Sequence, residues 1–178
     1  MIIKDIKILL KSEDMALDRV ICTLEKIEDI LILQRNYKGE PMMHTDYLCD
    51  LLDELGRRSI HRTVDTTLFC SSENVRKVAE KCELFLVDLK VIDSEVHKKY
   101  TGVRNEQILQ NIQLLSELGK KFWIRIPLIV GVNADEENLA ASAQFLAKLP
   151  TKPEMVNLLI YHDVGKGKHA RMGSAYHP

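Results

Sequence analysis

The chain's strongest pattern is a repeated change of period. Short apolar runs of strand length alternate with stretches whose apolar residues recur every three or four positions. Tyr47, Leu48, Leu51, Leu52 and Leu55 stand at helical spacing, with Thr45 read as the N-cap and Gly56 near the stop. Residues 60–67 read as a strand, rich in β-branched side chains. Ser72 is placed to cap a helix through Val75, Val78 and Ala79. Residues 84–89 are almost wholly apolar, as suits a strand covered on both faces. Residues 105–118 carry Ile108, Leu109, Ile112 and Leu115 on one helical face and end at Gly119. A strand over 121–130, an Ala- and Leu-rich helix over 135–149 stopped by Pro150 and Pro153, and a strand over 155–161 complete the series. Ahead of it, residues 29–33 read as a strand and Ser12 as the cap of a helix bearing Met15, Val20, Ile21 and Leu24. Each step from strand to strand leaves room for a crossover helix. This predicts an α/β fold with a parallel sheet.

Composition narrows the function classes. A length of 178 residues suits one domain with a sizeable core, spanning residues 1–178. The net charge of −1 implies no broad basic surface, which argues against nucleic acid as a partner. No apolar run approaches the roughly 20 residues that a membrane span needs. The start, Met-Ile-Ile-Lys-Asp, lacks the pattern of a signal peptide. The expectation is a cytoplasmic protein with no membrane partner. Cys22, Cys49, Cys70 and Cys82 form no local C-x-x-C site and read as core thiols.

Chemistry enters through position. Glu40 follows the strand of residues 29–33, and Asp65 and Thr66 end the next one. Asp88 and Lys90 end the third, where two-residue spacing suggests an ion pair between them. Arg125 sits inside the apolar fourth strand, which leads on to Asn133, and Tyr161-His162 ends the last. Polar groups thus converge on the carboxyl rim of the sheet, where parallel α/β folds bind ligands. A buried guanidinium such as that of Arg125 needs a carboxylate or an anionic ligand beside it.

Six linked motifs carry a family resemblance. They are Gly39-Glu40-Pro41-Met42-Met43, His61-Arg62-Thr63-Val64-Asp65-Thr66, Leu86-Val87-Asp88-Leu89-Lys90, Tyr100-Thr101-Gly102-Val103-Arg104-Asn105, Trp123-Ile124-Arg125-Ile126-Pro127, and Tyr161-His162 with Gly165-Lys166. In order and spacing the chain resembles the pyruvate formate-lyase activating enzymes and their glycyl-radical relatives, of the radical S-adenosylmethionine superfamily. The likeness runs from about Gly39 onward and weakly through residues 13–28, leaving residues 1–38 as a divergent segment. It implies an incomplete, TIM-barrel-like parallel β/α barrel, here with its first strand and helix missing. It implies a [4Fe-4S] cluster on a C-x-x-x-C-x-x-C loop and S-adenosylmethionine, whose radical takes hydrogen from a glycine of a partner such as pyruvate formate-lyase. An electron donor such as flavodoxin comes with that chemistry.

By this resemblance Glu40 meets the cofactor's ammonium, and Gly39 lets the backbone approach it. Asp65, Thr66 and Asp88 surround a monovalent cation beside the methionine carboxylate. Lys90 offers that carboxylate positive charge, His162 lies near the nucleoside, and Arg125 joins the cofactor site through its need for a buried partner. Two departures stand out. Lys38 replaces the first of the family's paired glycines, and the cluster-binding cysteine motif is absent from the sequence. The expectation is a fragment inactive by itself, with an exposed sheet edge inviting a dimer. The rival readings are a cluster-free α/β barrel enzyme of aldolase or hydrolase type, and a non-catalytic partner-binding domain.

Overall fold

The computed structural model describes residues 6–10 and 31–35, by their backbone, and residues 40–160. The helix expected over residues 13–28, together with Lys38, Gly39, His162 and Cys22, lies outside the described residues. Six strands form one sheet: β1 (Ile6–Leu10), β2 (Leu31–Arg35), β3 (Arg62–Thr66), β4 (Leu84–Asp88), β5 (Phe122–Leu128) and β6 (Met155–Ile160). Each pairs in parallel with the next, in chain order. Right-handed crossovers between strands in simple sequence keep the connecting helices on one face. A doubly wound sheet would instead reverse its order at a switch point. The order is that of a barrel wall left open between β1 and β6.

The α/β, partial-barrel expectation holds, with one revision. The first strand position is filled, because β1 pairs with β2 from Ile6↔Leu31 to Leu10↔Arg35. Its five residues, Ile-Lys-Ile-Leu-Leu, are too short to be separated from their surroundings by period alone.

Five α-helices and a short 3₁₀-helix, Pro41–His44, lie among the described residues. Helix α1 (Thr45–Arg57) buries Leu48, Leu51, Leu52 and Leu55. Thr45 is its first residue rather than its cap, and its hydroxyl donates to the Met42 carbonyl at 2.7 Å. Gly56 lies inside α1, where a Cβ would meet the Arg62 guanidinium; the left-handed residue after the helix is Ser59. Helix α2 (Ser72–Ala79) is capped by Ser71, one residue earlier than expected, through the Asn74 N–H at 3.2 Å. Helix α3 (Ser94–Thr101) carries no apolar stripe and was not legible from periodicity. Helix α4 (Glu106–Glu117) ends before Gly119, whose φ of 64° supplies the expected turn. Helix α5 (Glu136–Lys148) is capped by Asp135 through the Asn138 N–H at 2.8 Å.

The core lies between the helices and one face of the sheet. Val64, Phe85, Val87, Phe122, Ile124 and Ile126 pack there with the α1 leucines, Val75, Val78, Ile112 and Leu115. Strand alternation leaves Asp65, Asp88 and Arg125 on the other face. Along β6 both faces are exposed, with Leu158 at 53% and Ile160 at 71%.

Candidate functional site

Register brings the first cluster together. Asp65 stands opposite Leu86, and Asp88 opposite Arg125, so the polar side chains from β3, β4 and β5 meet on one face. Arg125 Nη1 donates to Asp65 Oδ2 at 2.9 Å, while Nη2 donates to Asp65 Oδ1. Its Nε donates to Asp88 Oδ1 at 2.8 Å, and Nη2 lies 2.6 Å from the same oxygen. One guanidinium thus bridges two carboxylates, using the fork geometry that suits arginine and not lysine. Asp65 is 5% exposed, so without this partner it would be a buried, uncompensated charge. Burial pushes the Asp88 carboxyl above its ordinary value, and the negative charge of Asp65 adds to this, against the opposing pull of Arg125 and Lys90.

Glu40 forms the second cluster. It caps the 3₁₀-helix, with Pro41 in the first turn, where a missing N–H costs nothing. Its Oε1 accepts from the Met42 N–H at 3.3 Å and from the Thr66 hydroxyl. Its Oε2 accepts from the Thr67 N–H at 2.7 Å and from the Thr67 hydroxyl. Glu40 therefore ties the segment after β2 to the end of β3. Asp65 and Thr66, neighbours on β3, join this cluster to the first.

Lys90 lies in the turn beyond β4. The expected Asp88–Lys90 ion pair is not formed. Asp88 pairs with Arg125, and the strand ends at Asp88, so strand alternation no longer places Lys90 beside it. Among the described residues the Lys90 ammonium is in no ion pair. Both oxygens of Asp65 are taken by Arg125, and Thr66 gives its hydroxyl proton to Glu40. Gly39 and His162 lie outside the described residues.

The described thiols do not fit an iron–sulfur cluster, which needs three thiolates on one loop. Cys49, Cys70 and Cys82 are free, and burial pushes Cys70 and Cys82 up to about 12. Among the described residues no three His, Cys, Asp or Glu side chains gather as a metal site.

Several residues of the rim escaped the sequence reading. Thr67 holds Glu40 as firmly as Thr66 does. Asn111, fully buried on α4, donates to the carbonyls of Leu68 at 2.9 Å and Cys70 at 2.8 Å and accepts from Ser72 at 3.0 Å, fixing the loop after β3. Asn105 and Asn138 brace the loop after β4 in the same manner. The one available signal was an asparagine inside or beside an apolar helical stripe, where an unpaired amide would be costly. Other parts of the motifs are structural. Arg62 pairs with Glu83 at the opposite end of the sheet, and buried His97 closes the Gly102 turn through the Val103 carbonyl at 2.7 Å.

No family model matches the chain. It is 42% identical over 139 residues to the trans-4-hydroxy-L-proline dehydratase activating enzyme of Clostridioides difficile, covering 78% of this chain and 46% of that protein. The chain thus spans about half the length of the curated relatives it matches. A crystal structure of a domain of pyruvate-formate lyase-activating enzyme from Bacteroides vulgatus shares 52% identity at a TM-score of 0.68, covering 71% of this chain and 79% of that one. Streptococcus suis SuiB bound to S-adenosylmethionine is 18% identical at a TM-score of 0.70 over 86% of this chain and 35% of its own, which shows a shared fold. By that likeness and by the strand order, the sheet is a partial, TIM-type parallel barrel. The identity to the activating-enzyme domain, over most of both chains, makes this chain a member of the glycyl-radical enzyme activating enzymes, the radical S-adenosylmethionine family that includes the pyruvate formate-lyase activating enzyme.

Proposed function

We propose that this chain forms the part of an activating enzyme that holds the methionine end of S-adenosylmethionine, on the rim built by Gly39, Glu40, Asp65, Thr66, Asp88, Lys90, Arg125 and His162. When bound, that cofactor supplies the family's hydrogen-abstracting chemistry. The supporting observation is charge. Glu40, Asp65 and Asp88 against Arg125 and Lys90 leave one net negative charge on the described rim. S-adenosylmethionine, with a sulfonium, an ammonium and a carboxylate, carries one net positive charge. Glu40 serves as the acceptor for the ammonium, Lys90 as the counter-ion of the carboxylate, and Arg125 holds Asp65 and Asp88 in place.

On this reading residues 1–178 act as one unit with a divergent segment at 1–38, and the partner is a glycyl-radical enzyme, with a flavodoxin-type protein as electron donor. The relatives' names point to dehydratases, decarboxylases and lyases as the range of such partners. A cytoplasmic location accords with the free thiols. By itself the chain holds no cluster and forms no radical. A dimer through a sheet edge belongs to the same proposal, and the exposed apolar residues of β6 make that strand the favoured edge.

Calorimetry with S-adenosylmethionine is the test. Saturable binding that Glu40→Gln and Lys90→Met each weaken is expected; no heat and no thermal shift with the wild-type chain overturns the reading. Anaerobic treatment of the chain with iron and sulfide should yield neither cluster absorbance nor 5′-deoxyadenosine.

A further inference from the structure

The loop after β4 follows directly on Asp88 and carries Lys90, yet little of its polar backbone is held by secondary structure. Side-chain amides from three other segments hold it instead. Asn105, 1% exposed, donates to the carbonyls of Val91 and Ile92, both at 2.8 Å. Asn138, on α5, accepts from the Ile92 N–H at 2.9 Å. Asn133, 1% exposed, donates to the Lys90 carbonyl and to the Pro127 carbonyl, each at 2.5 Å, and accepts from the Ile129 N–H at 2.7 Å. The Asn133 carbonyl in turn accepts from Asn138 at 2.9 Å, so the braces form one connected set.

Asn133 is distinct within that set. Its single side chain joins the exit of β5, the strand that presents Arg125, to the turn that presents Lys90. The bridge uses two N–H donors and one carbonyl acceptor on one short arm, which an asparagine amide supplies and the single donor of a hydroxyl does not. We propose that Asn133 is a positioning residue, which sets where Asp88 and Lys90 stand relative to Arg125 and so prepares the rim for the carboxylate of an amino-acid-type ligand. The inference rests on the cofactor reading above, but it can be tested without the cofactor.

Ser116 provides the control. It is 1% exposed and exchanges two hydrogen bonds of 2.8 Å with Thr151, before β6 at the opposite end of the sheet. Ser116→Ala removes a buried brace remote from the rim, and Asn133→Ala removes one at the rim. The first readout is backbone hydrogen exchange at Leu89, whose N–H donates to the Arg125 carbonyl at 3.0 Å and so reports whether the arm after β4 keeps its place beside β5. Loosening the arm in Asn133→Ala should speed that exchange about tenfold or more. Ser116→Ala should leave it at the wild-type rate. The second readout is S-adenosylmethionine affinity, expected to fall about tenfold in Asn133→Ala and by less than about twofold in Ser116→Ala. A wild-type chain that binds no cofactor defeats the functional reading, while the exchange at Leu89 still decides the positioning role. An unchanged Leu89 exchange rate in folded Asn133→Ala, or an equal rise in both variants, overturns the proposal. Should Asn133→Ala fail to fold, hydrogen exchange at the wild-type Asn133 side-chain amide decides. Both protons should be protected, and exchange at the rate of an unstructured amide overturns the role.

Discussion

Replacing Arg125 with methionine should destabilise the chain severely, and the loss should shrink in acid. Methionine keeps an unbranched side chain of similar reach while removing the charge and every donor. Asp65 would then be left 5% exposed, with both oxygens stripped of their partner. Asp88 would lose its two contacts to the same guanidinium. Breaking a buried pair by removing one member typically costs about 3–5 kcal/mol, because the desolvated charge that stays behind has no compensation. That is a large part of the roughly 5–15 kcal/mol by which a domain is stable. For a chain of this size it corresponds to a melting temperature lower by roughly 6–20 °C. The pH dependence has a definite sign. Burial already raises the Asp88 carboxyl, and without the opposing pull of Arg125 its native form binds the proton more tightly still than the unfolded chain does. The variant therefore gains stability as pH falls through that raised value, and the gap to wild type is widest near neutrality. Urea titrations of both proteins at about pH 7 and about pH 5, with equal slopes, measure the gap. A difference below about 1 kcal/mol at neutral pH would mean that Asp65 is solvated in the native state. A gap that widened on acidification would contradict the sign.

Three further outcomes follow from the same geometry. Glu40→Ala leaves the Met42 and Thr67 N–H groups and two threonine hydroxyls without their charged acceptor, so a loss of roughly 2 kcal/mol in urea denaturation is expected; a change within about 0.5 kcal/mol would show that water replaces the carboxylate freely. The Asp88 carboxyl of the wild type should titrate above 3.8. Its stabilising contribution is then present in acid and fades as pH rises through the folded value, and a midpoint at or below 3.8 by carbon NMR counts against the burial assigned to it. Cys70 and Cys82, both held near 12, should resist alkylation in the native chain at mildly alkaline pH while half-buried Cys49 reacts first; peptide mass mapping that finds Cys82 labelled early would refute this.

The helices with a wide apolar stripe were legible because burial writes its period into the sequence, as at Leu48, Leu51, Leu52 and Leu55. Helix α3 was not, since His97 is its one buried residue and no apolar stripe accompanies it. Its formation rests on the Asp93 cap and the left-handed Gly102. The α2 cap was misplaced by one serine for a tertiary reason. The Ser72 hydroxyl is engaged by Asn111 from α4, which leaves Ser71 to cap. The rim was half legible. Position at strand ends pointed to Asp65, Asp88 and Arg125, and the need of a buried guanidinium for a carboxylate is met twice over. The pairing itself was hidden, because it depends on registers that join residues 21 and 37 apart in sequence, which no local pattern encodes. The bracing asparagines were hidden for the same reason, as each bridges segments that only the fold brings together.

Within the proposed cofactor rim, the charged groups divide by what the protein already demands of them. Asp65 is buried, and both of its oxygens are committed to Arg125, so a ligand could engage it only by breaking that pair. Asp88 keeps Oδ2 outside the Arg125 contacts and its side chain is 28% exposed; Lys90 carries its ammonium beyond the end of the strand, in no ion pair among the described residues. Glu40 is held by neutral donors, which orient a carboxylate without neutralising it. A cation arriving at Glu40 thus meets a full negative charge already aimed, and a carboxylate arriving at Lys90 meets a positive one that no ion pair within the rim cancels. The Asp65–Arg125–Asp88 bridge ties together β3, β4 and β5. That arrangement suits a zwitterionic amino-acid head group better than a simple anion or cation, because either alone would leave one of the two aimed charges unmatched.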